Sequence, residues 1–437
     1  MPKLRSITTL LALLGSWAPL HAQDLLTVYE LALENDAQLQ IAEANYLAAI
    51  EALPQARSGR KPQVFFNADA TVVESDNSRL GDDSSDSVGY GVSLSQALYD
   101  TETRGNVLSA EASTRAELAR LQSVRQAVAL RVAEAYFAIL AAHDNVDFAY
   151  AERTAIERQL EQAQKRFEVG LIAITDVQEA KARFDSAEAQ AILAENILEN
   201  AYQALVVITG DPSVRNLWRL ESQLALTLPD PADANAWVEV ALQNNRDLIA
   251  AREDLNAARF ERDKRNRRGY PTLDLVASYE DRDTDSDLLG DTQQEDVTVG
   301  IQLEIPLYTG GRISSEQAEA EAQLVSAQNN TLLQTRLASQ RSRIAYLDVV
   351  SGISQVSALE QALESSNVAL EATQAGFEVG TRTSVDVLVS LRETYRAQRD
   401  YASSRYEFLL NKLRLKQAAG TLAQEDLSEI NRRLIRP

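Results

Sequence analysis

The sequence predicts a mainly helical fold with a small β part, built twice in tandem, and three observations predict it. The string FEVG followed by DV stands at 167–177 and again at 377–387. Around each copy, apolar residues recur three or four apart over stretches far longer than an ordinary globular helix. Between those stretches the pattern switches to strict alternation of apolar and polar residues, the period of a strand.

The duplication covers nearly the whole chain. Glu30, Ala32, Leu33, Asn35 and Leu39 recur 209 residues later as Glu239, Ala241, Leu242, Asn244 and Leu248. Pro62 recurs as Pro271, Leu98 and Tyr99 as Leu307 and Tyr308, Asp176 as Asp386, and Gly210 as Gly420. An offset that holds to within one residue over this length is the mark of two structural units in series.

The elements follow in order. Residues 1–22 read as a secretory signal peptide, with Lys3 and Arg5 before an apolar run from Ile7 to Trp17 and a small residue, Ala22, at its end. The first repeat, 23–210, is expected to hold a helix over 24–57, strands at about 62–75 and 87–99, a long helix over 101–168, a turn, and a helix over 171–209. Leu121, Val124, Val128, Val132, Ala135 and Ile139 give the long helix a coiled-coil seam. A linker over 211–236, with Pro212, Pro229 and Pro231, leads to the second repeat, 237–420. It is expected to carry strands at about 271–281 and 296–308, a long helix over 312–378, a turn, and a helix over 381–419. A tail, 421–437, remains. At 1.5 Å per residue each long helix spans about 100 Å, so it bridges a distance. Each FEVG copy interrupts a helix with a glycine, Gly170 or Gly380, and there the chain must turn back.

Outside the signal no apolar run approaches the roughly 18 residues of a membrane-spanning helix, so entry into a membrane would be by strands. In VTVGIQLEIPLY, 297–308, Val297, Val299, Ile301, Leu303, Ile305 and Leu307 share one face and Thr298, Gly300, Gln302 and Glu304 the other. In the first repeat Val88, Tyr90, Val92 and Leu94 oppose Gly89, Gly91, Ser93 and Ser95. A half-buried soluble sheet alternates in the same way. Three features favour a transmembrane barrel: acidic connections at 76–86 and 281–296, tyrosines at the opposite strand ends (Tyr99, Tyr270, Tyr308), and a basic cluster, RFERDKRNRRGYP, at 259–271. Four strands cannot close a barrel, and lipid tolerates no open edge. Two chains would give eight strands and a filled interior; three would give twelve and a lumen.

Composition excludes several classes. With 43 Lys and Arg against 64 Asp and Glu, and Lys3 and Arg5 lost with the signal, nucleic acid is no partner. The chain has no Cys, and of its two His only His143 stays after processing, so neither a disulfide, a thiolate or His metal site, nor a cofactor site is expected. No catalytic residue is singled out, because no nucleophile, base or phosphate loop accompanies the carboxylates. A purely structural periplasmic coiled coil is the competing reading, and it leaves the four alternating strands without a purpose.

An exported, Cys-free tandem repeat with two strand pairs and two such helices resembles the TolC family of outer-membrane efflux channels. The segments GLIAITDV (170–177), GTRTSVDVL (380–388), ITGDP (208–212), PTLDL (271–275) and PLYTGGR (306–312) carry the resemblance. It implies a homotrimer whose twelve strands form a β-barrel in outer-membrane lipid and whose helices form a coiled-coil tunnel through the periplasm. It also implies export of drugs, other toxic compounds and proteins, a periplasmic adaptor, and an inner-membrane transporter of the RND, ABC or MFS type. By the same resemblance the linker and tail form a belt around the tunnel, and the two turns are its gated tips. Gly170, Leu171, Gly380 and Thr381 then fall at the adaptor-docking tips. Thr175, Asp176 and Arg382 match positions that join the hairpins in the closed state, and Asp386 matches a constricting acid. Val389 stands in place of a second constricting acid, Phe377 in place of a hydrogen-bonding Tyr, and Gln374 in place of an acid, which implies weaker links at those points.

Overall fold

Each repeat opens on two helices where the sequence reading expects one. In the first they are Leu25–Asn35 (α1) and Ala37–Ser58 (α2). Asp36 makes the break: its carboxylate accepts the Leu39 N–H at 2.8 Å, capping α2, and takes two hydrogen bonds from the Arg131 guanidinium at 2.9 and 3.0 Å. Its extended backbone ends the helix before it. The computed structural model describes residues 23–77, 81–287 and 290–436. The expected signal peptide, 1–22, lies outside the described residues, as do 78–80, 288–289 and 437.

The chain then forms Gln63–Asn77 (β1) and Gly81–Tyr99 (β2), the helices Thr101–Glu168 (α3) and Ile174–Thr209 (α4), and a short strand, Arg219–Leu220 (β3). The second repeat repeats the order: Ala234–Asn244 (α5), Arg246–Asn266 (α6), Thr272–Ser286 (β4), Thr292–Glu304 (β5), Arg312–Glu378 (α7) and Ser384–Ala418 (α8). Asn245 divides α5 from α6 by accepting the Leu248 N–H at 3.0 Å, as Asp36 does one repeat earlier. Gln424–Asn431 (α9) and Leu434–Ile435 (β6) close the chain.

The strands differ from expectation at both ends. They run on through most of the acidic segments that the sequence reading assigns to connections, because antiparallel pairing satisfies backbone groups whatever the side chains. β5 instead stops at Glu304, two residues before Pro306, which has no N–H to give a ladder. The four strands form one antiparallel sheet in the order β1-β2-β4-β5, so β1 and β5 are open edges and one chain does not close a barrel.

Register fixes the two faces. Phe66, Val92, Tyr279 and Val297 stand in one row across the sheet, and Val64, Leu94, Ala277 and Val299 in the next row on that face. The opposite face carries the rows Asn67, Gly91, Glu280, Asp296 and Asp69, Gly89, Arg282, Gln294. There Arg282 reaches over Gly89 to Asp69 at 3.0 and 3.2 Å. A Cβ on Gly89 would sit 3.1 Å from the Asp69 carboxylate and 3.2 Å from the Arg282 guanidinium carbon. Tyr99 pairs with Leu273 on the apolar face, and Tyr270, just before β4, is half-exposed and lines a cavity with Thr272, Asp274 and Glu304.

The core sits midway along α3, where α1, α8 and the inter-repeat linker wrap it. Tyr136, Phe137 and Phe408 are fully buried, and Phe137 stacks on Tyr406 at 5.6 Å. Tyr136 donates to the Trp218 carbonyl at 2.9 Å and Tyr406 to Asp144 at 2.6 Å, so each buried hydroxyl has an acceptor. The linker and the tail meet here: β3 pairs with β6, and Asn431 donates to Asp24 at 2.8 Å. Among the described residues α4 is the one helix apolar and long enough to cross a membrane, which corrects the sequence reading. It packs on α3 instead through Ala180, Ala187, Ala191, Ala194, Leu205 and Ile208.

Candidate functional site: the two hairpin tips

At the end of the molecule opposite the sheet, α3 turns into α4 and α7 into α8. Both turns have the same backbone. Gly170 and Gly380 adopt φ of 74° and 81°, the left-handed region that L side chains avoid, and nothing lies within 4 Å of a Cβ added to either. The glycines are there for conformation alone. The next N–H closes the helix end onto a carbonyl five residues back, Leu171 onto Arg166 and Thr381 onto Gly376, each at 2.8 Å. The returning helices therefore start at 174 and 384, three residues later than the sequence reading has them.

The side chains treat the two turns differently. In the second, the Thr383 N–H and hydroxyl both donate to the Asp386 carboxylate at 2.9 Å, and the Asp386 N–H donates to the Thr383 hydroxyl at 3.2 Å. This capping box satisfies the first donors of α8. The backbone bond from Thr383 holds the Asp386 carboxyl below the usual carboxylate value, helped by the Thr383 hydroxyl and the charge of Arg382. The first turn has Ala173 at the equivalent place and no side-chain cap, so the Asp176 carboxylate is left without that task.

Arg382 is placed by a glycine. A Cβ on Gly376 would fall 2.8 Å from the Arg382 Cγ, so the arginine stem lies directly on the last turn of α7. The Gly376 carbonyl accepts the N–H groups of Thr381 and Arg382 and the Thr381 hydroxyl, at 2.8, 3.2 and 3.0 Å. Among the described residues neither Arg382 nor Asp176 forms an ion pair within the chain. Both stay exposed or half-exposed, as does Thr175.

The sequence reading passed over Arg166. Its guanidinium lies 4.3 Å from the centroid of the Phe377 ring, a cation–π contact that ties the end of α3 to the end of α7. The resemblance implies a lost hydrogen bond at Phe377; the phenyl face supplies a different contact in its place. A further tie between hairpins is the 3.1 Å ion pair of Arg399 on α8 with Glu152 on α3, whose side chain is 13% exposed. Val177, Leu388 and Leu391, with Ile156 and Ala163, form a shared apolar cluster beneath both tips. Val389 is 40% exposed and lines a groove of about 410 Å³ beside Leu388, Arg183 and Arg392. At the apex Val169, Leu171 and Val379 are 70, 72 and 77% exposed.

Comparison with known proteins agrees with this architecture. The outer membrane efflux protein family matches residues 28–211 and 237–421, which are the two repeats. The chain is 37% identical to the outer membrane protein TolC of Vibrio cholerae, over 94% of its own length and 93% of that protein's. It is 30% identical to the proteases secretion protein PrtF of Dickeya chrysanthemi, over 97% and 93%. Its fold superposes on the CmeC outer membrane channel of Campylobacter jejuni with a TM-score of 0.80 at 17% identity, covering 94% of this chain and 90% of that one. With two matched repeats, an alternating sheet and paired hairpins, the chain belongs to the outer membrane efflux protein family.

Proposed function

We propose that three copies of this outer-membrane efflux protein form one continuous conduit, a twelve-stranded barrel above a helical tunnel, gated where the hairpin tips converge. The observation that carries the reading is the sheet: one face apolar and exposed, the other polar, both edges unpaired. Lipid accepts such a sheet only when it is closed. Two chains would fill the interior with side chains, whereas three leave a lumen and satisfy cyclic symmetry. The exposed apolar residues of α4 and α7, among them Ile192, Ile197, Leu333 and Leu347, lie where neighbouring chains would cover them.

In this reading Asp176 and Thr175 of one chain meet Arg382 of the next and bias the tips toward closure. The three Asp386 groups narrow the entrance and favour cations. Val389 adds no second acidic ring, so divalent and trivalent cations block the entrance weakly. The exposed apex around Gly170, Leu171, Gly380 and Thr381 receives the adaptor that joins the conduit to an inner-membrane pump of the RND, ABC or MFS type. Cargo follows from that pump, small toxic molecules in efflux and proteins in secretion, as the name of the PrtF relative suggests. No chemistry on the cargo is assigned to the chain.

Replacing Ile301 with Arg tests the barrel, because it sets a charge in lipid at a cost of roughly 2 to 4 kcal/mol near the midplane. Outer-membrane trimer should fall sharply, while Gln302→Arg, one residue away on the polar face, should assemble normally. Equal effects at the two neighbours would refute the face assignment and the channel with it.

A further inference from the structure

The two sides of the helical wall differ where it meets the sheet. On one side Glu102 of α3 pairs with Arg268 at 3.2 Å, and Arg268 also meets Glu316 of α7 at 2.6 Å. Glu102 and Arg268 line a cavity with Thr272, Asp274 and Glu304, so this side continues the polar face of the sheet. Further from the sheet on the same side of α3 and α6, Arg120 is bonded to both Glu117 and Asp254. The polar side thus balances its cations.

The other side balances its cations only further from the sheet, where Arg115 pairs with Glu253 at 2.9 Å and Arg57 with Glu111 at 3.2 Å. Successive residues of a helix are about 100° apart. With Glu102 pointing to the polar side, Thr103 packs toward Gly59, just after α2, and Gly105 lies against Lys264 of α6. Arg104, about 200° from Glu102, is therefore carried to the opposite side, the one continuous with the lipid face. On α6 and the turn that ends it, Glu261, Arg265 and Arg268 share the polar side with Glu316, and Arg267, about 200° from Arg265 by helical spacing, is turned away from them. The Thr101 hydroxyl donates to the Arg267 carbonyl at 3.5 Å, which sets Arg267 level with the start of α3, about one helical turn from Arg104. Both are exposed, and among the described residues neither side chain has a hydrogen bond or an ion pair. The chain has 64 acids against 43 bases, so the lack of partners is not a shortage of acids.

Their height identifies the partner. Tyr99, half-exposed on the apolar face, stands two residues before Thr101, so the arginines lie just beyond the end of the apolar band on the helix side. Arg60 and Lys61, just past the end of α2, are exposed as well. Guanidinium groups bind phosphate oxygens in pairs, and a belt of uncompensated cations repels the ammonium of a zwitterionic headgroup. We propose that Arg104 and Arg267 hold the headgroup phosphate of an anionic phospholipid in the periplasmic leaflet of the outer membrane, fixing the height of the barrel in the bilayer.

The test is thermal unfolding of the purified protein in neutral detergent, titrated with dioleoylphosphatidylglycerol, dioleoylphosphatidylcholine or inorganic phosphate. Phosphatidylglycerol should raise the midpoint at concentrations on the order of tenfold lower than phosphatidylcholine, since each interfacial Arg favours anionic lipid several-fold. The Arg104→Gln/Arg267→Gln double variant should lose that preference with its lipid-free midpoint unchanged. Each single variant should lose part of it, and these decide the matter if the double variant does not assemble. Arg268→Gln, on the polar side, should keep the preference. Equal stabilisation by the two lipids, an undiminished preference in the arginine variants, or an equal effect of inorganic phosphate would overturn the proposal.

Discussion

The two tips share a backbone and divide the work. Each closes on a left-handed glycine with the same five-residue return, yet the residues in register around them differ: Arg166 against Gly376, Ile172 against Arg382, Ala173 against Thr383, Glu179 against Val389. The second tip uses a glycine to seat an arginine and commits its aspartate to a helix cap. The first tip has no cap, so its aspartate is available. Among the described residues one hairpin therefore offers an exposed cation that forms no ion pair in its own chain, and the other a carboxylate that forms none. The two turns are alike in backbone, and the side chains around them differ in charge.

That comparison breaks first at its common part. Gly170→Ala and Gly380→Ala should cost about 1 to 2 kcal/mol each, since both force an L residue into the left-handed region and neither gains a contact. Amide hydrogen exchange in the adjoining helix ends measures this. A large difference between the two would mean that the turns are not equivalent.

The capping difference is next. Thr383→Ala should weaken the first turn of α8 by about 1 kcal/mol, whereas Ala173→Thr, which gives the first tip the missing cap, should slow exchange in α4. Because Asp386 also belongs to the cap, its entrance role is best probed with Asp386→Asn, which keeps the shape and removes the charge. Cation block of single channels should be abolished in that variant and strengthened in Val389→Asp. Block that survives Asp386→Asn would place the constriction elsewhere.

Much of this was legible in the sequence, for definite reasons. Repetition, helical spacing and alternation are local signals, and they located the two long helices, the strand pairs and the turning glycines. The break at Asp36 carried a signal too: an Asx residue in register with Asn245, each beginning a new apolar pattern. Side-chain partners were not legible. Arg166 reaches Phe377 across 211 residues of sequence, and Gly376 matters because of what lies on it, so neither contact leaves a periodic trace. Asp386 was read as an entrance charge because the resemblance implied one; its bond to Thr383 followed from the ordinary grammar of a helix start.

A smaller effect separates the hairpins from each other. Arg166→Gln or Phe377→Leu should each lower the coupling between α3 and α7 by roughly 0.5 to 1 kcal/mol, the value of an exposed cation–π contact. Proteolysis at the tips should quicken equally in both variants and in the double variant, and additive effects would show that the two side chains do not act as a pair.

The smallest effect is with pH. The folded state holds Asp386 below its ordinary value of 3.8, so its contribution to the α8 cap is present above that value and is lost as pH falls through the lower folded one. Exchange in the first turn of α8 should accelerate only below about pH 3.8, and less in Asp386→Asn. Acceleration already at neutral pH would assign the effect to another group.

The central claim, that unlike tips latch across chains, is tested most directly by single-channel conductance in planar bilayers. Arg382→Ala and Asp176→Ala should each raise conductance over the parent protein, and the exchange Asp176→Arg/Arg382→Asp should bring it back toward the parent value. Exposed ion pairs are worth only about 0 to 1 kcal/mol, but three copies acting on one gate shift its closed population together. Conductance unchanged by Arg382→Ala, or a charge exchange no better closed than either single variant, would contradict the account.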